Sequence, residues 1–215
     1  MKVVITGSSS GIGQAIAKEF LLNGHQVIGI DIEKSTINEP NYQHFQVDIY
    51  QGNLPEIADV EILINNAGVQ NSGMDIEINL KGSIRVTETY AFQPSIKSVL
   101  FIASSSARTG SEFPEYAASK GGLVAYMKNV ALRMAKYHAT ANSLSPGGVY
   151  THSNDHVLKD PQLREQVLQE TLLHQWATVE EIAKWAYFMS VINQSMTAQD
   201  LLIDNGEEAK ANFIW

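Results

Sequence analysis

The sequence contains no cysteine, which excludes disulfides, thiolate metal ligands and a cysteine nucleophile together. It also lacks any apolar run near the ~18 residues that a membrane-spanning helix needs, and the apolar stretch after Met1 is far too short for a signal peptide. Basic residues are in the minority, with 15 Lys and Arg against 23 Asp and Glu, so binding to a nucleic-acid backbone has no net electrostatic support. These absences favour a cytoplasmic protein that binds neither nucleic acid nor membranes.

The composition that remains is that of a globular protein. Hydrophobic residues make up 44% of the 215 residues and charged residues 18%, which is enough apolar material for a sizeable core. A domain commonly takes ~100 to 200 residues, and no repeat, low-complexity tract or linker interrupts the chain. We therefore expect a single domain that covers residues 1–215.

Short apolar runs alternate with helical patterns along the chain. The runs predict strands buried on both faces of a sheet at residues 2–5, 26–30, 45–47, 61–64, 99–103, 141–144 and 200–203. Spacings of three and four predict helices near residues 12–21, 78–92, 116–136, 161–173 and 178–189. Residues 35–44 are interpreted as a loop. This order predicts an α/β fold, a Rossmann-like doubly wound parallel sheet in three layers.

Thr178 and Glu181 have the spacing of a capping box at the start of the last predicted helix. In that motif the threonine hydroxyl accepts a backbone N–H and the glutamate reaches back to the cap residue. We therefore expect Thr178 to begin this helix.

Three glycines, Gly7, Gly11 and Gly13, join the first predicted strand to the first helix. A helix N-terminus offers free N–H groups and a positive dipole end, so a pyrophosphate fits there. Gly7 can make the tight turn, Gly11 lets the backbone approach phosphate, and Gly13 allows close helix–strand packing. The spacing differs from the common G-x-G-x-x-G, and the alternative is a glycine- and serine-rich turn without a ligand. Its position in a βαβ unit favours a dinucleotide site.

Asp31 ends the second predicted strand 18 residues after Gly13. A carboxylate at this place can accept hydrogen bonds from an adenosine ribose and repels a 2′-phosphate. No Arg or Lys lies at residues 8–10, so NAD(H) is favoured over NADP(H). The alternative is that Asp31 caps the strand end in solvent.

Tyr116 and Lys120 are four residues apart in a predicted helix and therefore share one face. An ammonium beside a phenol, whose ordinary pKa is about 10, stabilises the phenolate and lowers that pKa. Tyr116 then becomes a usable proton donor for carbonyl reduction, or acceptor for alcohol oxidation. The alternative is an ordinary surface pair, as found in most unrelated helices.

Four motifs in this order resemble those of the short-chain dehydrogenase/reductase family over nearly the whole chain. They are the glycine loop from Thr6 to Gly13, the Asn-Asn-Ala-Gly run at residues 65–68, Tyr-x3-Lys at residues 116–120, and the Pro-Gly segment at residues 146–151. The resemblance implies a Rossmann-like oxidoreductase that transfers a hydride between a nicotinamide and a carbonyl or secondary alcohol, with Tyr116 as general acid or base.

The resemblance also assigns roles to individual residues. It implies catalytic roles for Asn79, Ser104, Tyr116 and Lys120. It implies cofactor contacts from Gly7, Ser9, Ser10, Gly11, Ile12, Gly13, Asp31, Asp48, Ile49, Asn66, Ala67, Gly68, Tyr116, Lys120, Pro146, Gly147, Val149 and Thr151. It further implies a homo-oligomer, in particular a homotetramer, built through the two long predicted helices.

Two of the catalytic assignments have alternatives. The strand pattern selects Ser104 as the catalytic serine, whereas the turn that follows selects Ser105, and we favour Ser104 because side-chain alternation constrains strand register. Asn79 is expected to hold a water that links Lys120 to solvent. The alternative for Asn79 is a polar helix residue satisfied by the backbone.

The segment at residues 152–176 occupies the variable substrate region of the family. It carries no charged anchor motif, and the spacing of its histidines predicts no metal site, so the substrate is open. The chain is also short for the family after Asp31, between Gly68 and Asn79, and before Tyr116. We expect these losses to reshape the cleft.

Two further functions compete with the general reading. A 3-oxoacyl-thioester (acyl-carrier-protein) reductase has the same motifs, but such enzymes usually prefer NADPH, which Asp31 disfavours. A noncatalytic NAD-binding sensor would keep the fold without turnover, and the intact pair of Tyr116 and Lys120 argues against it.

Overall fold

The apolar runs form one parallel seven-stranded sheet in the computed structural model, which describes residues 1–111 and 113–210. The strands are β1 Lys2–Thr6, β2 Gln26–Asp31, β3 Tyr42–Gln46, β4 Ile62–Asn65, β5 Ser98–Ile102, β6 Thr140–Pro146 and β7 Asp200–Ile203. Their spatial order is β3-β2-β1-β4-β5-β6-β7, and every neighbouring pair is parallel. This is the predicted doubly wound sheet, whose strand order reverses beside β1.

Helices connect β1 to β2 and each strand from β4 onward to the next, and they cover both faces of the sheet. They are α1 Gly11–Leu22, α2 Ser83–Tyr90, α3 Ser106–Thr109, α4 Pro114–Met134, α5 Asp155–Leu158, α6 Pro161–Gln169 and α7 Val179–Tyr187. A π-helical segment, Ile76–Gly82, leads directly into α2, and a second one, Phe188–Ile192, follows α7. Short 3₁₀ turns lie at Ala135–Tyr137 and His152–Asn154.

Side-chain alternation along β1 divides the core into two clusters, one on each face of the sheet. Val3 and Ile5 are buried in the cluster that contains Ile16 of α1 and Ile182 of α7. Val4 is buried in the other cluster, which contains residues of α2 and α4. Because both faces are covered, the central strands are mostly apolar, and these apolar runs made them visible in the sequence. The predicted three-layer α/β architecture is confirmed.

Two predicted boundaries were wrong. Residues 42–44, predicted as loop, belong to β3, which pairs with β2 through Tyr42 and Val27. The strand lies at the edge of the sheet with Gln43 and Gln46 exposed, so it shows no continuous apolar run. The helix predicted at residues 161–173 ends at Gln169. The Thr171 hydroxyl turns the chain there by donating to the Leu168 carbonyl and accepting from the Gln175 amide.

The predicted domain bounds, 1–215, include residues 112 and 211–215, which lie outside the described residues.

The predicted capping box at Thr178 is confirmed. Its hydroxyl accepts from the Glu181 amide at 3.2 Å, and its own amide donates to the Glu181 carboxylate at 2.7 Å. We expect Thr178→Ala to lower the free energy of unfolding by about 0.5 to 2 kcal/mol, since the cap partner of α7 is lost. Urea unfolding measures this, with Thr178→Ser as the control that keeps the hydroxyl. Equal stability of the alanine variant and the parent would contradict the expectation.

Candidate active site

The glycine loop after β1 has the geometry that its three glycines predict. Gly7 has a φ of +67°, and a Cβ at Gly13 would lie 2.0 Å from the Gly7 carbonyl oxygen. A side chain at either position would therefore strain the backbone or force α1 away from β1. The loop brings the start of α1 to the carboxyl end of β1, beside the point where the strand order reverses.

The start of α1 is suited to an anion. Ser10, its N-cap residue, makes no capping bond with its side chain, and the first turn of the helix contains no acidic residue. The first N–H groups of a helix have no partner within it, so they are available to a phosphate. The start of α1, with Ser10, Gly11, Ile12 and Gly13, therefore fits a pyrophosphate, and the predicted cofactor contacts of Gly7 and Ser9 stay predictions.

Asn66 fastens the glycine loop to the end of β4. Its side-chain nitrogen donates to the carbonyl oxygens of Thr6 and Gly7, both at 3.1 Å. The buried Thr6 hydroxyl oxygen accepts from the amides of Asn66 and Ala67 at 3.0 and 3.1 Å. The Asn-Asn-Ala-Gly run therefore joins the carboxyl ends of the neighbouring strands β1 and β4, and it fixes the position of the glycine loop.

Asp31 lies against the glycine loop rather than in open solvent. One carboxylate oxygen accepts from the Ser9 amide at 2.9 Å, and the other accepts from the Glu33 amide at 2.9 Å. These two bonds orient the carboxylate at the carboxyl end of β2, and they place its charge next to the anion site.

Asp48 and Ile49 follow β3 in a turn. One oxygen of Asp48 accepts from the Tyr50 amide at 2.7 Å, while Ile49 is buried. Arg85 of α2 holds this turn through the carbonyl oxygens of Ile49 at 2.9 Å and Gly52 at 2.6 Å. These bonds fix the turn, and the predicted cofactor contacts of Asp48 and Ile49 stay a prediction.

Tyr116 and Lys120 lie on one face of α4, as their spacing predicts. The ammonium nitrogen of Lys120 is 5.7 Å from the centre of the Tyr116 ring. It donates to the Ile102 carbonyl oxygen at the end of β5, at 2.9 Å. A Cβ on Gly68 would lie 3.4 Å from the Lys120 nitrogen and 3.1 Å from the Asn79 side-chain oxygen. The structure therefore brings Tyr116, Lys120, Asn79 and Gly68 together.

Lys120 is buried, with 5% of the residue exposed. Burial lowers the pKa of Lys120 from 10.5 to about 8, and the carboxylate of Asp75 partly opposes this shift. The side chain is therefore still largely an ammonium at pH 7, and it carries its charge in a site with little water.

Asn79 lies in the π-helical segment that precedes α2 and is fully buried. Its oxygen accepts from the Val69 amide at 2.7 Å, and its nitrogen donates to the Val69 carbonyl at 2.9 Å and the Ser119 hydroxyl at 3.0 Å. Asn79 thus joins the loop after β4 to α4. These bonds agree with the alternative given above, a polar helix residue whose side chain is satisfied by the backbone. Its role in a water relay stays a prediction. Single π-turns often occur at functional sites.

Ser104 and Ser105 follow β5 with different surroundings. Ser104 is 8% exposed, and its hydroxyl oxygen lies 3.2 Å from both the hydroxyl oxygen and the amide nitrogen of Ser106. Ser105 is partly exposed and donates its amide to the Pro146 carbonyl at 2.8 Å. This bond ties the serine run to the Pro-Gly segment, and the choice of Ser104 as the catalytic serine stays a prediction.

The Pro-Gly segment, residues 146–151, lies between the serine run after β5 and the glycine loop. The methyl group of Thr151 is near the glycine loop, since a Cβ on Gly11 would lie 3.8 Å from it. Val149 is buried and pairs with Ala177, which directly follows the substrate segment. Thr151 thus lies beside the glycine loop, and the predicted cofactor contacts of Pro146, Gly147, Val149 and Thr151 stay predictions.

Three residues of the site were missed from the sequence, namely Thr6, Asp75 and Ser119. Thr6 and Ser119 lie inside recognised motifs, which was the available signal. The buried Asp75 accepts from the amides of Asn71 and Ser72 at 2.9 and 2.8 Å and so closes the shortened loop before Asn79. No sequence pattern pointed to it.

Among the described residues, no group of three or more histidine, aspartate or glutamate side chains could hold a metal ion. The histidines of the substrate segment are dispersed, and His152 is 98% exposed. No helix in the described ranges combines the length and the apolar character needed to cross a membrane.

The fold and the site define a Rossmann-type nucleotide-dependent enzyme, and comparisons place it more closely. A protein-family model described as enoyl-(acyl carrier protein) reductase matches residues 58–208. The chain is 30% identical to the 3-oxoacyl-[acyl-carrier-protein] reductase FabG of Chlamydia pneumoniae, covering 95% of this chain and 96% of that protein. It is also 30% identical to the D-beta-hydroxybutyrate dehydrogenase of Rhizobium meliloti (strain 1021), covering 87% of this chain and 90% of that protein.

Solved structures agree on the fold. A 4-hydroxyisoleucine dehydrogenase complexed with NADH superposes with a TM-score of 0.87 at 24% identity, covering 98% of this chain and 99% of that one. The chain belongs to the short-chain dehydrogenase/reductase family, which confirms the resemblance. It is an NAD(P)-dependent oxidoreductase that acts on a carbonyl or secondary alcohol.

Proposed function

We propose that the protein is an NAD(H)-preferring oxidoreductase of one domain, with Tyr116 as its general acid or base. The observation that carries this proposal is the convergence of Tyr116 and Lys120 with Asn79 and Gly68. The nicotinamide dinucleotide would supply or accept the hydride. The residues that would hold it are those of the glycine loop, Asp31 and the Pro-Gly segment, whose geometry fits this group.

The side chains around Lys120 support the proton transfer at Tyr116. Lys120 places a positive charge near the phenol ring, which favours the phenolate form. When a carbonyl is reduced, the Tyr116 hydroxyl gives its proton to the substrate oxygen as negative charge develops there. Ser104 would hold the same oxygen by a hydrogen bond, and Lys120 would also bind ribose hydroxyls. In alcohol oxidation the proton moves in the reverse direction.

A 3-oxoacyl-thioester reductase is the second candidate, since relatives from Chlamydia pneumoniae and Thermotoga maritima carry that name. A direct test is to follow NADH- and NADPH-linked absorbance with purified protein across a panel of ketones, secondary alcohols and acyl thioesters. Turnover of simple carbonyls or alcohols supports the proposal, whereas turnover of acyl thioesters alone identifies the second candidate. NADH binding without turnover on any substrate favours the noncatalytic sensor.

The preference for NAD(H) rests on Asp31, whose carboxylate is oriented beside the glycine loop. We expect Asp31→Ala to narrow the difference between the dissociation constants of NADH and NADPH, because the variant loses both a ribose acceptor and a charge that repels the 2′-phosphate. Fluorescence titration of both cofactors measures this. Glu33→Ala removes an exposed charge nearby and should shift the ratio much less. Tighter binding of NADPH than of NADH by the parent would refute the assignment.

Two further expectations accompany this proposal. The cytoplasmic location and the homotetramer built through the long helices stay predictions. Leu132 of α4 is 78% exposed in the single chain, which is consistent with a helix face available to a second copy.

A further inference from the structure

The turn that follows Asp31 is held by side chains of β3. His44 places its Nε2 atom 2.9 Å from the Glu33 carbonyl oxygen. Gln46 donates from Nε2 to the Ile32 carbonyl oxygen at 2.8 Å. The Ser9 hydroxyl donates to the same Glu33 carbonyl at 3.0 Å. The backbone of residues 31–33 is thus anchored from the glycine loop on one side and from β3 on the other.

A second contact joins β3 to the glycine loop itself. The Tyr42 hydroxyl lies 3.2 Å from Nδ1 of His44 and 3.1 Å from the hydroxyl of the buried Ser8. Gly29 of β2 makes this approach possible, because a Cβ there would lie 2.2 Å from both the Ser8 and the Tyr42 hydroxyl oxygens. Ser8, Tyr42 and His44 therefore form a chain of contacts that ends on the Glu33 carbonyl.

The chemistry of the groups orients this chain. A carbonyl oxygen only accepts, so Nε2 of His44 must donate to Glu33. In a neutral ring Nδ1 then accepts, and it accepts from the Tyr42 hydroxyl. The Tyr42 oxygen in turn accepts from Ser8. Every donor in the chain has an acceptor in this arrangement.

The chain occupies a region that has no helix. Residues 32–41, between β2 and β3, form no helix or strand, so their backbone groups depend on side chains and water for partners. The sequence is short for its family at this place. In place of a helix, the side chains of β3 supply hydrogen bonds to the backbone of the turn that follows Asp31.

We propose that Tyr42 and His44 are positioning residues for the adenosine half of the cofactor site. They fix the glycine loop through Ser8 and the turn of Asp31 through Glu33, and so hold the Asp31 carboxylate where it distinguishes a ribose hydroxyl from a 2′-phosphate. This inference rests on the proposed dinucleotide function, since the glycine loop and the turn after Asp31 are the parts of the cofactor site that Tyr42 and His44 contact.

The first test measures binding by Tyr42→Phe, by His44→Ala and by the double variant. Gln43→Ala, an exposed residue between them on β3, is the matched control. We expect Tyr42→Phe and His44→Ala each to raise the dissociation constants of NADH and ADP-ribose by about 3- to 10-fold, the effect of one lost hydrogen bond. NADPH should change less, so the ratio between the two cofactors narrows. The double variant should raise the dissociation constant of NADH by less than the product of the two single increases, because both substitutions break the same chain of hydrogen bonds.

The second test needs no cofactor. Hydrogen exchange of the cofactor-free protein should be faster for a peptide that contains residues 31–37 in Tyr42→Phe and His44→Ala, and unchanged in Gln43→Ala. If NADH and NADPH weaken equally, or if exchange at residues 31–37 matches the parent, the positioning role is overturned. If the parent binds no dinucleotide, the proposed function fails, and the exchange experiment still decides whether β3 holds the turn.

Discussion

Replacement of Tyr116 by phenylalanine is expected to lower kcat by ~10²- to 10⁴-fold, the range that general acid–base catalysis contributes. The substitution removes one hydroxyl and keeps the ring, which lies 5.7 Å from the Lys120 nitrogen. Packing and NADH affinity should therefore change little, while the proton donor is lost. Steady-state kinetics on a substrate found in the panel, together with NADH titration, measures both quantities.

Tyr126→Phe is the matched control for this experiment. Tyr126 lies on the same helix, and its hydroxyl donates to Glu88 of α2 at 2.8 Å. The loss of that hydroxyl should leave kcat near the parental value. Near-parental turnover of Tyr116→Phe would show instead that the proton comes from another group, and the proposed mechanism would be wrong.

The sequence was most informative where a role depends on local backbone conformation or on the spacing of residues within one helix or strand. Gly7 and Gly13 were predicted as a tight turn and a close-packing position, and both have that geometry. Tyr116 and Lys120 were predicted to share a helix face, which follows from helical spacing alone. The central strands were visible because burial on both faces favours nearly continuous apolar runs, such as residues 3–5 and 99–102.

The sequence was least informative where a residue acts through distant partners. Asp75 is a buried carboxylate whose partners are two backbone amides of a shortened loop, and no spacing identifies such a group. The start of the edge strand β3 was predicted too late in the chain, because none of its residues is fully buried and polar Gln43 and His44 interrupt the apolar pattern. Tyr42 and His44 were assigned to a loop for this reason, although they contact the glycine loop and the turn of Asp31.

Asn79 shows how a motif can identify a position without its role. The resemblance predicted a residue that holds a water, and the structure shows a side chain whose oxygen and nitrogen both bond to Val69, with a further bond to Ser119. These bonds hold the loop after β4 against α4, close to Lys120. The position is thus structural at least, and any relay would start from an amide that is already oriented.

Lys120→Met is expected to behave differently from Tyr116→Phe, because Lys120 is assigned to ribose binding as well as to the tyrosine. NADH affinity should fall by about 10-fold or more, the effect of losing charged hydrogen bonds, and turnover should fall with it. Lys128→Met removes an exposed lysine from the same helix and should leave both quantities near the parental values.

The same variant has a predicted effect on stability that depends on pH. Because burial lowers the pKa of Lys120 to about 8 from 10.5, the folded protein releases this proton at a lower pH than the unfolded chain does. Between these two values the unfolded state binds more protons, so the contribution of Lys120 to the free energy of unfolding rises with pH by about 3 kcal/mol. Below pH 8 the buried ammonium imposes its full desolvation cost, and above 10.5 the cost is gone.

Urea unfolding of the parent and Lys120→Met at pH 7 and pH 10 isolates this contribution, since other titrating groups affect both proteins alike. As the pH rises from 7 to 10, the free energy of unfolding of the parent should rise relative to that of Lys120→Met. The difference between Lys128→Met and the parent should stay constant. The expected shift does not depend on how methionine packs, because the packing change is the same at both pH values. A parallel pH dependence in Lys120→Met and the parent would mean that Lys120 titrates near its ordinary pKa, and its ammonium would then be better solvated than its burial implies.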